Sequence, residues 1–294
     1  RSLGIGVERL HEWNPNLVVT SVTNFGQTGP YASYSATDLT LHAMGGIMQV
    51  SGRVDRDPLK HGLQQSLFCA GLNAAYATLA ARMAVVTTGG PGEHVDLSIH
   101  EVLASEHHSN SPIYAFLGVV QGRRAVLQDP FSGEPIPTKN GYLSLQAGGG
   151  MPFSDFADFL GIPELRDKFA TPGARVRAVD EVRKLIEDAV ADKDAKDVFL
   201  AGAKRRLLTG FVQTAADLLA CPHLEAREFW SNIDHPATGK HKFPAELVKL
   251  SKTPVTIRRR APLLGEHNAE VLGSELKFCA EDIAAMQKRS NAVH

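Results

Sequence analysis

Residues 17–23 (LVVTSVT) form a short apolar run rich in β-branched side chains, the length and composition of a buried strand. Residues 95–99 (VDLSI) alternate like a second strand or a sheet edge. Between them, residues 37–50 (TDLTLHAMGGIMQV) predict one helix that starts near Asp38 and carries Gly45 and Gly46 inside it. Each interior glycine costs a helix about 1 kcal/mol, so the pair implies either close backbone packing or a ligand approaching the main chain. Residues 70–86 predict the strongest helix, because alanine dominates and no breaker interrupts it. A further long helix is expected from His100 towards Val120. Strands alternating with helices point to an α/β domain.

Beyond residue 122 the pattern changes. Basic residues followed by Pro130, Pro135 and Pro137 mark an extended crossing segment and a candidate boundary. A strand is expected at 141–146, a glycine loop at 147–151 and a helix at 153–160. Two charged amphipathic helices follow, at 177–191 and 196–208. The pattern thus divides into a large domain over 1–125 and a smaller, more helical α+β module over 138–235. Strand-like sequence returns at 246–251, and terminal helices are expected at 268–276 and 280–288.

Charge and composition narrow the function classes. The chain has 294 residues with 31 Lys+Arg against 32 Asp+Glu, so no global basic field exists to track nucleic-acid phosphates. The one dense basic cluster, Arg258-Arg259-Arg260, reads as a solvated strand end or a carboxylate partner. No window reaches the ~18 uninterrupted apolar residues of a membrane span, and no charged-then-apolar leader is visible. Cys69, Cys221 and Cys279 are far apart and form no CxxC, which fits a reducing, cytoplasmic setting.

Catalytic chemistry is sparse by motif. The 12 His include the adjacent His107 and His108, which do not share a helix face, and the loop pair His235 and His241, so no metal site is expected. A GxSxG elbow, a GK[ST] P-loop and GxGxxG are absent. Cys69 is either a small buried thiol or, near a helix N-terminus, an activated one. Gly148, Gly149 and Gly150 follow a strand and precede a helix, so they either bring backbone N–H groups to an anion or carbonyl or form an ordinary turn. These features alone point to an α/β chain with a ligand cleft near residues 24–40, at the carboxyl end of the first strand.

Several stretches together resemble the class III CoA-transferase family. Leu3-Gly4 through Asn14-Pro15 is similar to the family's RLG…NP opening, and residues 24–31 (NFGQTGPY) to its GFGQxGPY loop, which contains Gln27. Asp38-Leu39 with residues 43–46 and Gly52 resembles DL…AxxG…TG, and residues 88–98 (TGGPGEHVDLS) resemble TGxGQxVDVS. Near the end, Thr253-Pro254 and residues 261–268 (APLLGEHN) are similar to TP…PxLGEHT. Five matches in order cover almost the whole chain.

The resemblance implies a Rossmann-like large domain formed by both chain ends, with 245–294 returning to it, a smaller inserted domain, and two protomers interlocked as a dimer. It implies no resident cofactor; coenzyme A and acyl-CoA are substrates, with a small carboxylic acid as the second partner and neither nucleic acid nor membrane. In the implied reaction a side-chain carboxylate attacks the thioester carbonyl, and the C–S bond breaks to give a mixed anhydride and CoA thiolate. The thiolate then reopens the anhydride as an aspartyl-CoA thioester, from which the acceptor acid takes the CoA.

The departure from the family falls on that carboxylate. The family's aspartate stands at the first position of D-x-x-A-G, and here Ala70-Gly71 places Leu67 there; residues 62–71 (GLQQSLFCAG) contain no acid. Asp38 matches a family acid that lines the acyl site, and either contacts substrate or caps a helix. Thr37 stands where the racemase branch has histidine, which removes the acid–base pair that proton exchange needs. Gln65, with Gln64, could supply amide hydrogen bonds where charge was lost. The chain is thus expected to bind an acyl-CoA and to need a second, aspartate-bearing half or subunit for transfer, or else to be a non-catalytic CoA-binding or scaffolding subunit. Because Arg1 falls just before the RLG motif, an N-terminal strand unit holding part of the CoA site is expected to precede it.

Overall fold

The computed structural model describes residues 4–123, 134–146 and 152–291. Helix α1 (Val7–Trp13) stops at Asn14, whose backbone turns to the extended region before Pro15. The first apolar run becomes strand β1 (Val19–Thr23). Helices α2 (Asp38–Met44), α3 (Ile47–Val50) and α4 (Gln65–Thr88) then carry the chain to strand β2 (His94–Ser98). β2 lies parallel to β1, with Val19 opposite His94 and Thr23 opposite Ser98, so this segment is a β-α-β crossover. Helices α5 (Ile99–Ser105) and α6 (Asn110–Leu117) follow.

Strands β3 (Ile136–Thr138) and β4 (Gly141–Gln146) pair antiparallel, with Ile136 opposite Leu143. Next come α7 (Phe153–Leu160), α8 (Pro163–Asp167), α9 (Pro172–Arg177), α10 (Val179–Val190) and α11 (Ala195–Lys204). Strand β5 (Leu208–Phe211) completes a sheet of order β3-β4-β5. Short helices α12 (Ala215–Leu219) and α13 (Pro222–Ala226) lead to the antiparallel hairpin of β6 (Trp230–His235) and β7 (Gly239–Pro244). A π-helical segment, Ala269–Glu275, and α14 (Ala280–Asn291) close the described chain.

Backbone contacts divide the chain into two units, one of Arg1–Glu134 with Leu145–Ala189 and one of Pro135–Ser144 with Val190–His294. In the first, Leu41, Ile47, Ala70, Ile99 and Leu103 form a buried cluster under Phe25, Ala36 and Leu97. That cluster ties α2, α3, α4 and α5 to the end of β2, which sets where the loop after β1 meets the first turn of α4. In the second unit, Asn140 anchors α11: its side chain donates to Asp194 (2.7 Å) and accepts from the Ala195 amide (3.0 Å). Asp194 in turn caps α11 by accepting from the Lys196 and Asp197 amides.

Three expectations change. The helix expected over 37–50 breaks at its paired glycines: Gly45 ends α2, and Gly46 (φ 81°) starts α3 from the left-handed region. A Cβ on Gly45 would stand 2.5 Å from Leu103 Cβ, and one on Gly46 2.8 Å from His107 Nε2. Of the two readings, close packing accounts for the pair. The long helix from His100 is two helices, because the Glu106 and His107 amides turn back to the carbonyls three residues before them and tighten the chain out of the α path. The strand-like stretch at 246–251 is not a strand but irregular.

Helix α4 is long and apolar enough, by length and composition, to cross a membrane. Here its inner side is occupied, since Ser66, Ala70, Ala81 and Val85 are buried and the helix packs on α2, α5, β1 and β2.

Candidate active site

The site is built where the start of α2 meets the start of α4. Thr37 caps α2 and forms a reciprocal box with Thr40: the Thr37 amide donates to Thr40 Oγ1 at 2.7 Å, and the Thr40 amide to Thr37 Oγ1 at 3.5 Å. The capping role considered for Asp38 therefore belongs to its neighbour. Asp38 is the first helical residue, and its carboxylate is free to turn towards α4.

There it meets two donors. Ser66 Oγ donates to Asp38 Oδ1 at 2.5 Å, and Lys60 Nζ lies 2.8 Å from Asp38 Oδ2. Ser66 is fully buried, and the Asp38 side chain is mostly so. Burial by itself would raise the Asp38 pKa, but the hydrogen bonds from Lys60 and Ser66 and the positive charge of His42 and Lys60 outweigh it, so the carboxyl is held below its ordinary 3.8. It is a carboxylate at neutral pH.

One turn further along, His42 is also fully buried, with Nδ1 2.8 Å from the Asp38 carbonyl. A carbonyl only accepts, so Nδ1 carries a hydrogen. His42 Nε2 is buried without a hydrogen-bond partner among the described residues, and the ring meets His61 edge to face at 5.4 Å. Lys60 also donates to the carbonyls of His61 (2.9 Å) and Leu63 (2.6 Å), so its ammonium hydrogen-bonds two carbonyls while standing as the counter-charge of Asp38, whose Oδ2 has no partner of hydrogen-bond geometry among the described residues. The 60–63 loop is thereby pinned to Asp38, with Leu63 in the left-handed region (φ 58°) just ahead of α4.

Successive residues of a helix point about 100° apart. Ser66 faces inward to Asp38, and Leu67, the next residue, faces outward and is 47% exposed. Gln65 is half-buried on the same first turn. Gln27 joins a different network: its amide donates to Asp96 Oδ2 at 3.0 Å, and its side chain lies 3.3 Å from His94 Nε2, which is 2.9 Å from Ser21 Oγ. Gly148, Gly149 and Gly150 lie outside the described residues. The structure thus brings together Asp38 and the turn that carries Gln65 and Leu67, and it adds Lys60, Ser66 and His42 as their neighbours.

Other candidates weaken. Burial and the nearby Glu106 carboxylate push the Cys69 thiol up, so the activated reading of that cysteine falls; the thiol is partly buried. Among the described residues, no group of three His, Cys, Asp or Glu side chains is placed to hold a metal ion.

A family model described as CoA-transferase family III matches residues 1–268. The chain belongs to that family. It is 29% identical over 276 residues to the succinate–glutarate CoA-transferase of Agrobacterium fabrum, covering 92% of this chain and 68% of that enzyme. It is 30% identical over 292 residues to the succinyl-CoA–D-citramalate CoA-transferase of Chloroflexus aurantiacus, covering 97% of this chain and 72% of the relative. Among solved structures, a CAIB/BAIF family protein from Brucella suis superposes with a TM-score of 0.78 at 28% identity, over 93% of this chain and 71% of that one. The resemblance drawn from the sequence motifs and the mixed α/β fold are both borne out. By family the chain is a CoA-transferase, with CoA thioesters as substrates.

Proposed function

We propose that this chain binds an acyl-CoA and a small dicarboxylic acid, and that CoA transfer between them requires a carboxylate supplied by a second half or subunit. The observation that carries the reading is the first turn of α4: residues 62–71 hold no acid, and the residue at the position matching the family's aspartate is the outward-facing, half-exposed Leu67. An alkyl side chain has no lone pair with which to open a thioester. The dicarboxylate class is supported by two relatives whose names specify succinate, glutarate, succinyl-CoA or citramalate.

In this reading Asp38 orients rather than attacks. Oδ1 accepts from Ser66 and Oδ2 is paired with the Lys60 charge, and a carboxylate stabilised in this way is a weak nucleophile. The supplied carboxylate would approach the uncapped N-terminus of α4, which has no acidic residue in its first turn and whose dipole favours negative charge. The attacking oxygen would form a bond to the thioester carbon as CoA leaves as thiolate, and the later steps return the carboxylate unchanged.

The engagement of both Asp38 oxygens also favours a second reading, in which the chain binds CoA without chemistry of its own. The two separate in one assay: succinyl-CoA and glutarate are incubated with the unaltered chain or with Leu67→Asp, glutaryl-CoA is followed by mass spectrometry, and CoA binding by calorimetry. The first reading expects no turnover unaltered and turnover on installing the acid. CoA binding with no turnover in either form would leave the second, and turnover by the unaltered chain alone would overturn both.

A further inference from the structure

The stretch of chain that leads from α3 into α4 lies against Asp38 and is weakly held there. In residues 59–64 (LKHGLQ) every side chain is exposed except that of Lys60, which is half-buried, so this strap adds nothing to a core. Its near end is fixed by the Leu59 amide, which donates to the Ser51 carbonyl at 3.2 Å. Among the described residues, no amide of 60–64 donates to a backbone carbonyl. Lys60 holds the far end: its ammonium gathers the strap through the His61 and Leu63 carbonyls and ties it to α2 through the charge of Asp38. The His61 ring also meets α2, at His42. A segment with so few buried contacts opens locally without disturbing the rest of the fold.

The closed arrangement is unfavourable in three places. Leu63 stands at φ 58°, in the left-handed region that a residue with a bulky side chain rarely adopts. Asp38 Oδ2 and His42 Nε2 are both buried with no hydrogen-bond partner among the described residues, and a buried polar atom left unpaired is destabilising. Lifting the strap returns Leu63 to an ordinary conformation and gives Asp38 Oδ2 to water or to a ligand. Opposing this is one ion pair whose Lys60 side chain is 31% exposed, and water weakens such a pair. The balance between closed and open forms thus turns on a single side chain.

We propose that residues 59–64 are a lid latched over Asp38 by Lys60, and that lifting it is what uncovers the carboxylate for a ligand. The lid runs directly into the first turn of α4, which starts at Gln65, so the same motion clears the approach to residues 65–67. Any cation of similar reach at position 60 keeps the latch, and an uncharged side chain of similar length loses it. The inference rests on the function proposed above only in taking the ligand to be an acyl-CoA; the latch itself is read with no ligand present.

The test is thermolysin cleavage of the folded full chain at the Gly62–Leu63 bond, identified by fragment mass; Leu63 is 79% exposed, so the bond is within reach once the strap lifts. When reclosing is fast, the rate of cutting follows the open population, so Lys60→Met is expected to be cut at least about tenfold faster than the unaltered chain and Lys60→Arg within about twofold of it. Asp38→Asn removes the latch from the other side and should match Lys60→Met, both with the circular dichroism spectrum of the unaltered chain. The unaltered chain gives a further readout that needs no variant. Raising NaCl from about 0.05 to about 1 M, with the protease calibrated on a free peptide, should speed the cut several-fold by screening the ion pair. Succinyl-CoA, at a concentration that calorimetry shows to saturate the chain, should speed it too. Equal rates in Lys60→Met, Asp38→Asn and the unaltered chain, a rate insensitive to salt, or slower cleavage with succinyl-CoA bound would each overturn the lid. An absence of calorimetric binding would overturn the proposed function instead, while the variants and the salt series still decide the lid.

Discussion

Helices α4 and α10 solve the same problem in opposite ways. α10 is amphipathic: Val182, Ile186 and Val190 make one fully buried row, while Arg183–Glu187 and Lys184–Asp188 pair at 2.7 and 2.9 Å on its more exposed sides. α4 is apolar almost all round. Its inner row is buried, and its outer row of six large side chains faces water. A helix hydrophobic on every side belongs in an interior, so among the described residues α10 is covered on its apolar side and α4 only in part. The turn that carries Leu67 belongs to α4.

The sharpest way to break this contrast is one truncation on each helix. Ile186→Ala should cost about 2–5 kcal/mol in denaturant unfolding, because a filled core position is emptied. Leu72→Ala, at an exposed position, should change stability by less than about 0.5 kcal/mol. If the two cost the same, the outer face of α4 is not open.

Within α4 the contrast can be drawn between neighbours. Ser66→Ala removes a buried donor from an ionised carboxylate, for which a loss of about 1.5–3 kcal/mol is expected. Leu67→Ala, one residue on, should cost well under 1 kcal/mol in the same unfolding experiment.

Smaller still is the effect of acid. The Asp38 pKa is lowered in the folded chain, so its contribution to stability is fully present above the unfolded value of 3.8 and is lost as pH falls through the lower folded value. Unfolding free energy should therefore drop on the acid side of 3.8, and the drop should shrink in Ser66→Ala. A stability that rises on acidification would contradict the Asp38–Ser66–Lys60 geometry. The smallest effect is expected at Glu266, which accepts from Arg260 and from the Leu263 amide and whose pKa is lowered to about 2. Its side chain should titrate by NMR far below ordinary glutamates, and it should do so at a higher pH in Arg260→Gln.

Much of this was legible along the chain wherever a signal was local. The β-branched run at 17–23, the alanine-rich stretch at 70–86 and the period of 153–160 became β1, α4 and α7 because pattern and propensity agreed there. The break at Gly45-Gly46 was not, because what decides it is Leu103 and His107, far along the chain, filling the space a Cβ would need. Asp38 and Leu67 could be singled out from motif positions. Lys60 and His42 could not, since Lys60 reaches Asp38 across 22 positions and the burial of His42 exists only once α2 has docked. Capping by Thr37 was readable in principle from Thr37 and Thr40 three residues apart.

The proposal that this chain needs an acyl-accepting carboxylate from elsewhere is tested most directly by intact-mass spectrometry after mixing with succinyl-CoA. The account predicts no covalent adduct on the unaltered chain and, on Leu67→Asp, an added CoA or succinyl mass that maps to the peptide containing residue 67. An adduct on the unaltered chain, at Asp38 or anywhere in 62–71, would contradict it.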